Sequence, residues 1–159
     1  MKNIIQNEIR PARPGDIPAL KHIIEATDMF PPAMLDDMIA GYLAGTVDRE
    51  YWLVSDNPKP VGVALYRMEE MTMGTWNLLL LAVDPDHHGK GIGTKLLLQV
   101  EEHLVHLCQR VLLVETSGTG AFAATRAFYK RQAYAEEAII RDFYDDGDDK
   151  VIYRKTLQD

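Results

Sequence analysis

Two nearly unbroken apolar runs constrain this chain most: "TWNLLLLAV" at 75–83 and "VLLVET" at 111–116. A strand with one wet face alternates apolar and polar residues, so runs without alternation predict strands covered on both faces. Between them Ile92, Leu96, Val100, Leu104 and Leu107 recur at helical spacing and form one apolar stripe. Strand, helix and second doubly covered strand make a parallel unit, because a crossover is what lets the second strand run in the same direction as the first.

The flanking segments predict the rest of a sheet. "EIRPAR" reads as a first strand, and "PGDIPALKHIIEAT" as a helix with Ile17, Leu20, Ile23 and Ile24 on one face. After "DMFPP", the spacing of Leu35, Met38, Ile39, Tyr42 and Leu43 gives a second helix. "YWLVSD" and "PVGVALYRMEE" flank "NPK" as antiparallel strands of a hairpin. A helix over roughly 122–131 precedes "YAEEAIIRDFY" and "KVIYRKTL", two strands around "DDGDD" with Asp146 and Gly147 as the turn. The order is strand, two helices, three strands, helix, strand, helix, two strands. It predicts a mixed α/β sheet, mostly antiparallel, with one central parallel pair and flanking helices. At 159 residues the expectation is a single domain over 1–159 with its core at roughly 8–156.

Composition narrows the class. With 47% hydrophobic and 26% charged residues the chain matches soluble globular proteins. No apolar run has the length of a membrane span, and the first sixteen residues carry no signal-peptide core, so a cytoplasmic protein is expected. A net charge of −7 argues against nucleic-acid binding and favours a cationic partner. Cys108 is the sole cysteine and has no disulfide partner; late in the third helix, it reads as a small core residue. No metal is expected. His87 and His88 are adjacent, His103 and His106 lack a third ligand, and "RDFYDDGDDK" places Tyr144 at a ligand position of a calcium loop.

The turn joining the first apolar run to the helix is "VDPDHHGKGIGTKLL", with Gly89, Gly91 and Gly93 at alternate positions. A glycine-rich turn into a helix offers an anion a cradle of backbone N–H groups at the positive end of the helix dipole. The dinucleotide pattern G-x-G-x-x-G fails, since its last glycine falls on Thr94 or Leu96 according to the start chosen. The P-loop fails because Gly91, and not Ser or Thr, follows Lys90.

"LAVDPDHHGKGIGTKLL" resembles the cofactor motif of the GNAT superfamily of N-acetyltransferases, Q/R-x-x-G-x-G/A at this same strand-to-helix turn, and the element order is also similar. The resemblance implies a central parallel strand pair splayed around acetyl-coenzyme A, the cosubstrate. It implies that backbone amides of Gly89, Lys90, Gly91, Ile92, Gly93 and Thr94 hold the pyrophosphate, with His88 at the usual Gln or Arg position. Leu81, Ala82 and Val83 match the splayed fourth strand, whose free backbone groups pair with the pantetheine arm and the acetyl carbonyl. A fixed N–H aimed at that oxygen stabilises the charge that builds there.

"VETSGTGAFAATRAFYKRQAY" resembles the family's later motif, in which Tyr129 would protonate the departing thiolate. "RQAY" stands where "LGF" is common, and Phe122 where an Asn often contacts the pantetheine. Glu115 lies at the strand end where some members place a carboxylate that takes the amine proton, with Glu69 and Glu70 as rivals. A base is required because an alkylammonium, with a pKa of about 10.4, has no lone pair. The implied function is N-acetylation of a primary amine by direct attack. The alternative is a non-catalytic sensor or interaction module that binds coenzyme A or an acyl-coenzyme A. The expected acceptor is a small-molecule or peptide amine, shaped by "TDMFPP" and "YDDGDD"; a homodimer is allowed, and neither nucleic acid nor membrane is expected.

Overall fold

The computed structural model describes residues 8–158. Its elements follow in the order β1 (Glu8–Pro11), α1 (Ile17–Thr27), α2 (Leu35–Ala44), β2 (Glu50–Asp56), β3 (Pro60–Met68), β4 (Thr75–Val83), α3 (Ile92–His106), β5 (Val111–Ser117), α4 (Ala123–Arg131), β6 (Ala135–Asp145) and β7 (Asp148–Thr156). Hydrogen bonding orders the strands β1-β2-β3-β4-β5-β7-β6. The pairs β1–β2, β2–β3, β5–β7 and β6–β7 are antiparallel, and β4–β5 is parallel. The mixed sheet and its one parallel pair are those the two apolar runs predict.

Of the described residues, 8–67 with 80–100 form one compact unit and 68–79 with 101–158 another. In the first, Leu20, Ile23 and Ile24 of α1 and Leu35 and Ile39 of α2 are fully buried, and they cluster with Trp52, Val54, Val63, Leu65, Leu80 and Ala82 from the strands. The inward stripe of each helix is the one its sequence spacing marks. Arg10 ties three segments together: its guanidinium donates to Asp16 at 2.8 Å, just ahead of α1, and to Asp56 at 2.7 Å, at the end of β2. Held bidentately by one carboxylate and bonded to a second, it fixes the entry to α1 more firmly than a surface ion pair would.

The second unit is built on the β5–β7 ladder, which runs from Val111↔Thr156 to Ser117↔Lys150. Tyr153 of β7 is fully buried and stacks on Tyr129 of α4, ring centroids 6.1 Å apart. Glu101, a buried carboxylate on α3, accepts from Tyr134 Oη at 3.1 Å and Lys155 Nζ at 2.6 Å. A carboxylate taken from water needs such partners. The Asp146–Gly147 turn closes β6 onto β7 as the sequence suggests, with Gly147 N–H donating to Asp142.

Two expectations on α3 need correction. The helix ends at His106, so Leu107 falls outside the stripe and is exposed. Cys108 follows in a left-handed conformation, φ 57°, and its thiol is exposed; it is not a core residue. The chain turns away from the helix axis before the periodicity of the sequence runs out.

Candidate active site

In the first unit the candidate site is the passage from β4 to α3. Asp84 follows β4 and anchors the turn: its N–H donates to Val61 O at 2.7 Å, its Oδ1 accepts from Asp86 N–H at 3.0 Å, and its Oδ2 lies 3.4 Å from His22 Nε2. His88 Nε2 donates to the Val83 carbonyl at 2.7 Å. The histidine that departs from the family pattern therefore fastens the turn to the strand end.

Gly89 and Gly91 both adopt left-handed conformations, φ 75° and 74°, which side chains other than glycine adopt at a cost. At neither position would a Cβ meet any heavy atom within 4 Å. The two glycines thus serve the turn's conformation and leave its outer face open. Lys90 between them is exposed, Ile92 is buried as the first residue of α3, and Gly93 and Thr94 are half-exposed in its first turn. The N–H groups of that turn have no helical partner, and the dipole adds positive potential there. An anion is the ligand such a turn suits.

The β4–β5 ladder runs from Thr75↔Val111 to Leu78↔Val114 and stops, although β4 continues to Val83 and β5 to Ser117. Leu79, the first residue past it, is 41% exposed on a strand central in the hydrogen-bonding order. Leu81 and Val83 are half-buried and Ala82 is buried. An exposed leucine in that position is apolar surface of the kind that a ligand's alkyl arm covers.

In the second unit Glu115 is half-buried, and its Oε2 lies 3.0 Å from Lys150 Nζ. That ammonium also sits 3.5 Å from the centroid of the Phe143 ring. Of the rival bases, Glu69 accepts from Asn77 Nδ2 at 2.9 Å, and Glu70 is exposed. Asn77 is itself buried, and its Oδ1 has no hydrogen-bond partner. Tyr129 is 5% exposed, its ring 5.1 Å from Phe128 and 5.7 Å from Tyr134. Burial pushes its phenol well above the ordinary value, because the phenolate would lose its hydration. At the start of α4, Arg126 donates to the carbonyls of Ser117 and Thr119 at 2.8 and 2.7 Å and so fixes the turn from β5. Phe122 is exposed.

Sequence reading missed Asp84, Arg126 and Lys150. Asp84 had a local signal, since an Asp ahead of Pro begins a turn. Lys150 had none, because its partner Glu115 lies on another strand.

The sequence profile of the acetyltransferase (GNAT) family matches residues 17–134. An uncharacterised N-acetyltransferase of Methanocaldococcus jannaschii is 29% identical over 91 residues, a stretch that spans 57% of this chain and 57% of that protein. A GNAT-family crystal structure from Desulfovibrio desulfuricans is 30% identical with a TM-score of 0.86, over 95% of this chain and 99% of that one. A Salmonella typhimurium structure with its cofactor acetyl-coenzyme A has the same fold at 19% identity, with a TM-score of 0.79 over 97% of this chain and 95% of that one.

Proposed function

The chain belongs to the acetyltransferase (GNAT) family, and from that premise we propose that it transfers the acetyl group of acetyl-coenzyme A to a primary amine. The observation that carries this reading is the pair of left-handed glycines, Gly89 and Gly91, with open space where a Cβ would stand, immediately ahead of α3. A diphosphate approaches such a turn closely and accepts from its N–H groups. In the first unit, Gly89, Lys90, Gly91, Ile92, Gly93 and Thr94 would hold the pyrophosphate, and backbone groups of Leu81, Ala82 and Val83 would pair with the pantetheine and the acetyl carbonyl. The exposure of Leu79 and the end of the ladder at Leu78 support that placement.

In the second unit, Glu115 would take the amine proton and Tyr129 would give a proton to the sulfur. The amine nitrogen bonds to the thioester carbon, the carbon–sulfur bond breaks, and the products are an acetamide and the free thiol. Lys150 supports the first role, because a carboxylate held by an ammonium keeps one position. For the second role Tyr129 has a proton to give, since a phenol is protonated through the neutral range, although burial raises its pKa further and makes it a weaker acid. Glu69 and Glu70 remain the alternative bases. The acceptor would be a small-molecule or peptide amine.

The test is thiol release from acetyl-coenzyme A over a panel of amines, polyamines, amino acids and peptides, run beside cofactor-induced thermal stabilisation. Stabilisation with amine-dependent thiol release is expected. Stabilisation without release from any amine would make the chain a coenzyme A sensor, and absence of both would remove the cofactor reading.

A further inference from the structure

Lys150 is the one buried lysine among the described residues, 9% exposed. The β5–β7 register sets it opposite Ser117, and sets Glu115 opposite Ile152. Side chains alternate along a strand and opposite partners share a face, so Lys150 and Glu115 are diagonal neighbours on the same face of the sheet. Nζ lies 3.0 Å from Glu115 Oε2. The rings of Phe143 and Tyr144 stand beside the same ammonium, with centroids at 3.5 and 5.9 Å. The β4–β5 ladder ends at Leu78↔Val114, one residue before Glu115. The chain therefore holds an alkylammonium of its own against the carboxylate assigned above to take an amine proton, at the point where β5 leaves β4.

A general base must stand within about 2.6–3.2 Å of the group whose proton it takes, and this pair meets that condition. Passing the proton from Nζ to Glu115 converts two charges into a neutral amine and a neutral acid. Burial favours that exchange, because neither ion then has to be kept from water. An amine on the same chain also reacts without an association step. We propose that Lys150 Nζ is an internal acceptor, so that the protein acetylates its own Lys150 when no other amine is present. Nζ bonds to the thioester carbon, the carbon–sulfur bond breaks, and the products are an acetylated Lys150 and the free thiol. Two protons leave the nitrogen: Glu115 passes one to solvent, and the other replaces the proton that Tyr129 gives the sulfur. The amide carries no charge, so the ion pair with Glu115 is lost. This modification rests on the acetyl-transfer reading with Glu115 as the base.

The test is to incubate the protein, without added amine, with acetyl-coenzyme A carrying a deuterated acetyl group, and to follow each lysine by mass spectrometry after digestion. The label should accumulate on Lys150 at a first-order rate that dilution of the protein does not change. Lys59 and Lys130 are exposed and serve as controls for uncatalysed acetylation, which follows exposure. Glu115→Gln should slow labelling of Lys150 about a hundredfold, the low end for a lost general base, with the controls unaffected. Stabilisation of this variant by acetyl-coenzyme A checks that it is folded. Glu115→Asp keeps the charge and should slow labelling less. Label confined to exposed lysines would overturn the proposal, as would a rate on Lys150 that depends on protein concentration or that Glu115→Gln leaves unchanged. Thiol release with added amines, measured in parallel, separates the two readings. Turnover of an amine with Lys150 unlabelled in its absence would leave acetyl transfer standing and remove the internal acceptor. No thiol from any amine and no label on Lys150 would remove both.

Discussion

The Tyr129 hydroxyl is protonated through the neutral range, as a phenol ordinarily is, and burial raises its pKa further; a proton donor matters only while the leaving group needs one. A coenzyme A thiol should resemble cysteine, with a pKa of about 8.5. Tyr129→Phe should lower turnover near pH 7 about a hundredfold, with the deficit narrowing above about pH 9 as the thiolate leaves unaided. Turnover against pH for both proteins checks this: a constant ratio would assign Tyr129 to packing against Tyr134 and Tyr153. Gly91 allows a second expectation at the same scale. With φ at 74°, Gly91→Ala should cost about 1–2 kcal/mol of stability through the backbone alone. Its new methyl would stand in open space and not against protein, so most of the stabilisation by acetyl-coenzyme A should disappear from a folded variant. Thermal unfolding with and without the cofactor separates the two effects, and undiminished stabilisation would remove the pyrophosphate from this turn.

Arg10 and Asp16 show how one side-chain pair sets the position of an element. Hydrogen bonds from Arg10, with a further bond from Arg13 N–H, hold the Asp16 carboxyl below its ordinary 3.8 despite the opposing effect of burial. A carboxylate depressed on folding stabilises the protein above its unfolded value, and the contribution is lost as pH falls through the folded value. Asp16→Asn should therefore cost about 2 kcal/mol at pH 7, in the range of hydrogen bonds to charged groups, with the deficit shrinking below pH 3.8. Urea midpoints at both pH values measure it, and a deficit independent of pH would mean that shape and not charge is lost. This pair also marks what was legible. Periodicity is a local signal, so α1, α2, α3 and the two covered strands were readable from spacing, and the glycine turn was readable because three close glycines have few uses. Pairing between distant segments leaves no such trace: Arg10 with Asp56, Glu115 with Lys150 and Asn77 with Glu69 become neighbours only when the strands align. Leu107 and Cys108 were misplaced because apolar spacing does not report where a helix stops.

The net charge of −7 is unevenly spread, with Asp142, Asp145, Asp146, Asp148 and Asp149 gathered around one hairpin. If the acceptor is cationic, that hairpin should steer it. The double variant D145N/D146N keeps side-chain oxygens for the turn and removes two charges, so the apparent KM for a diamine should rise. The rise should diminish with salt, because exposed charges are screened. Steady-state kinetics at low and high ionic strength decide it; an unchanged KM would leave these residues to solubility. The whole molecule contains a single thiol, and Cys108 presents it to solvent just past the end of α3, the helix whose first turn follows the candidate cradle. A maleimide dye would therefore attach at one known position, without engineered cysteines and at the opposite end of that helix from the glycine turn. The natural sequence is ready for single-molecule fluorescence.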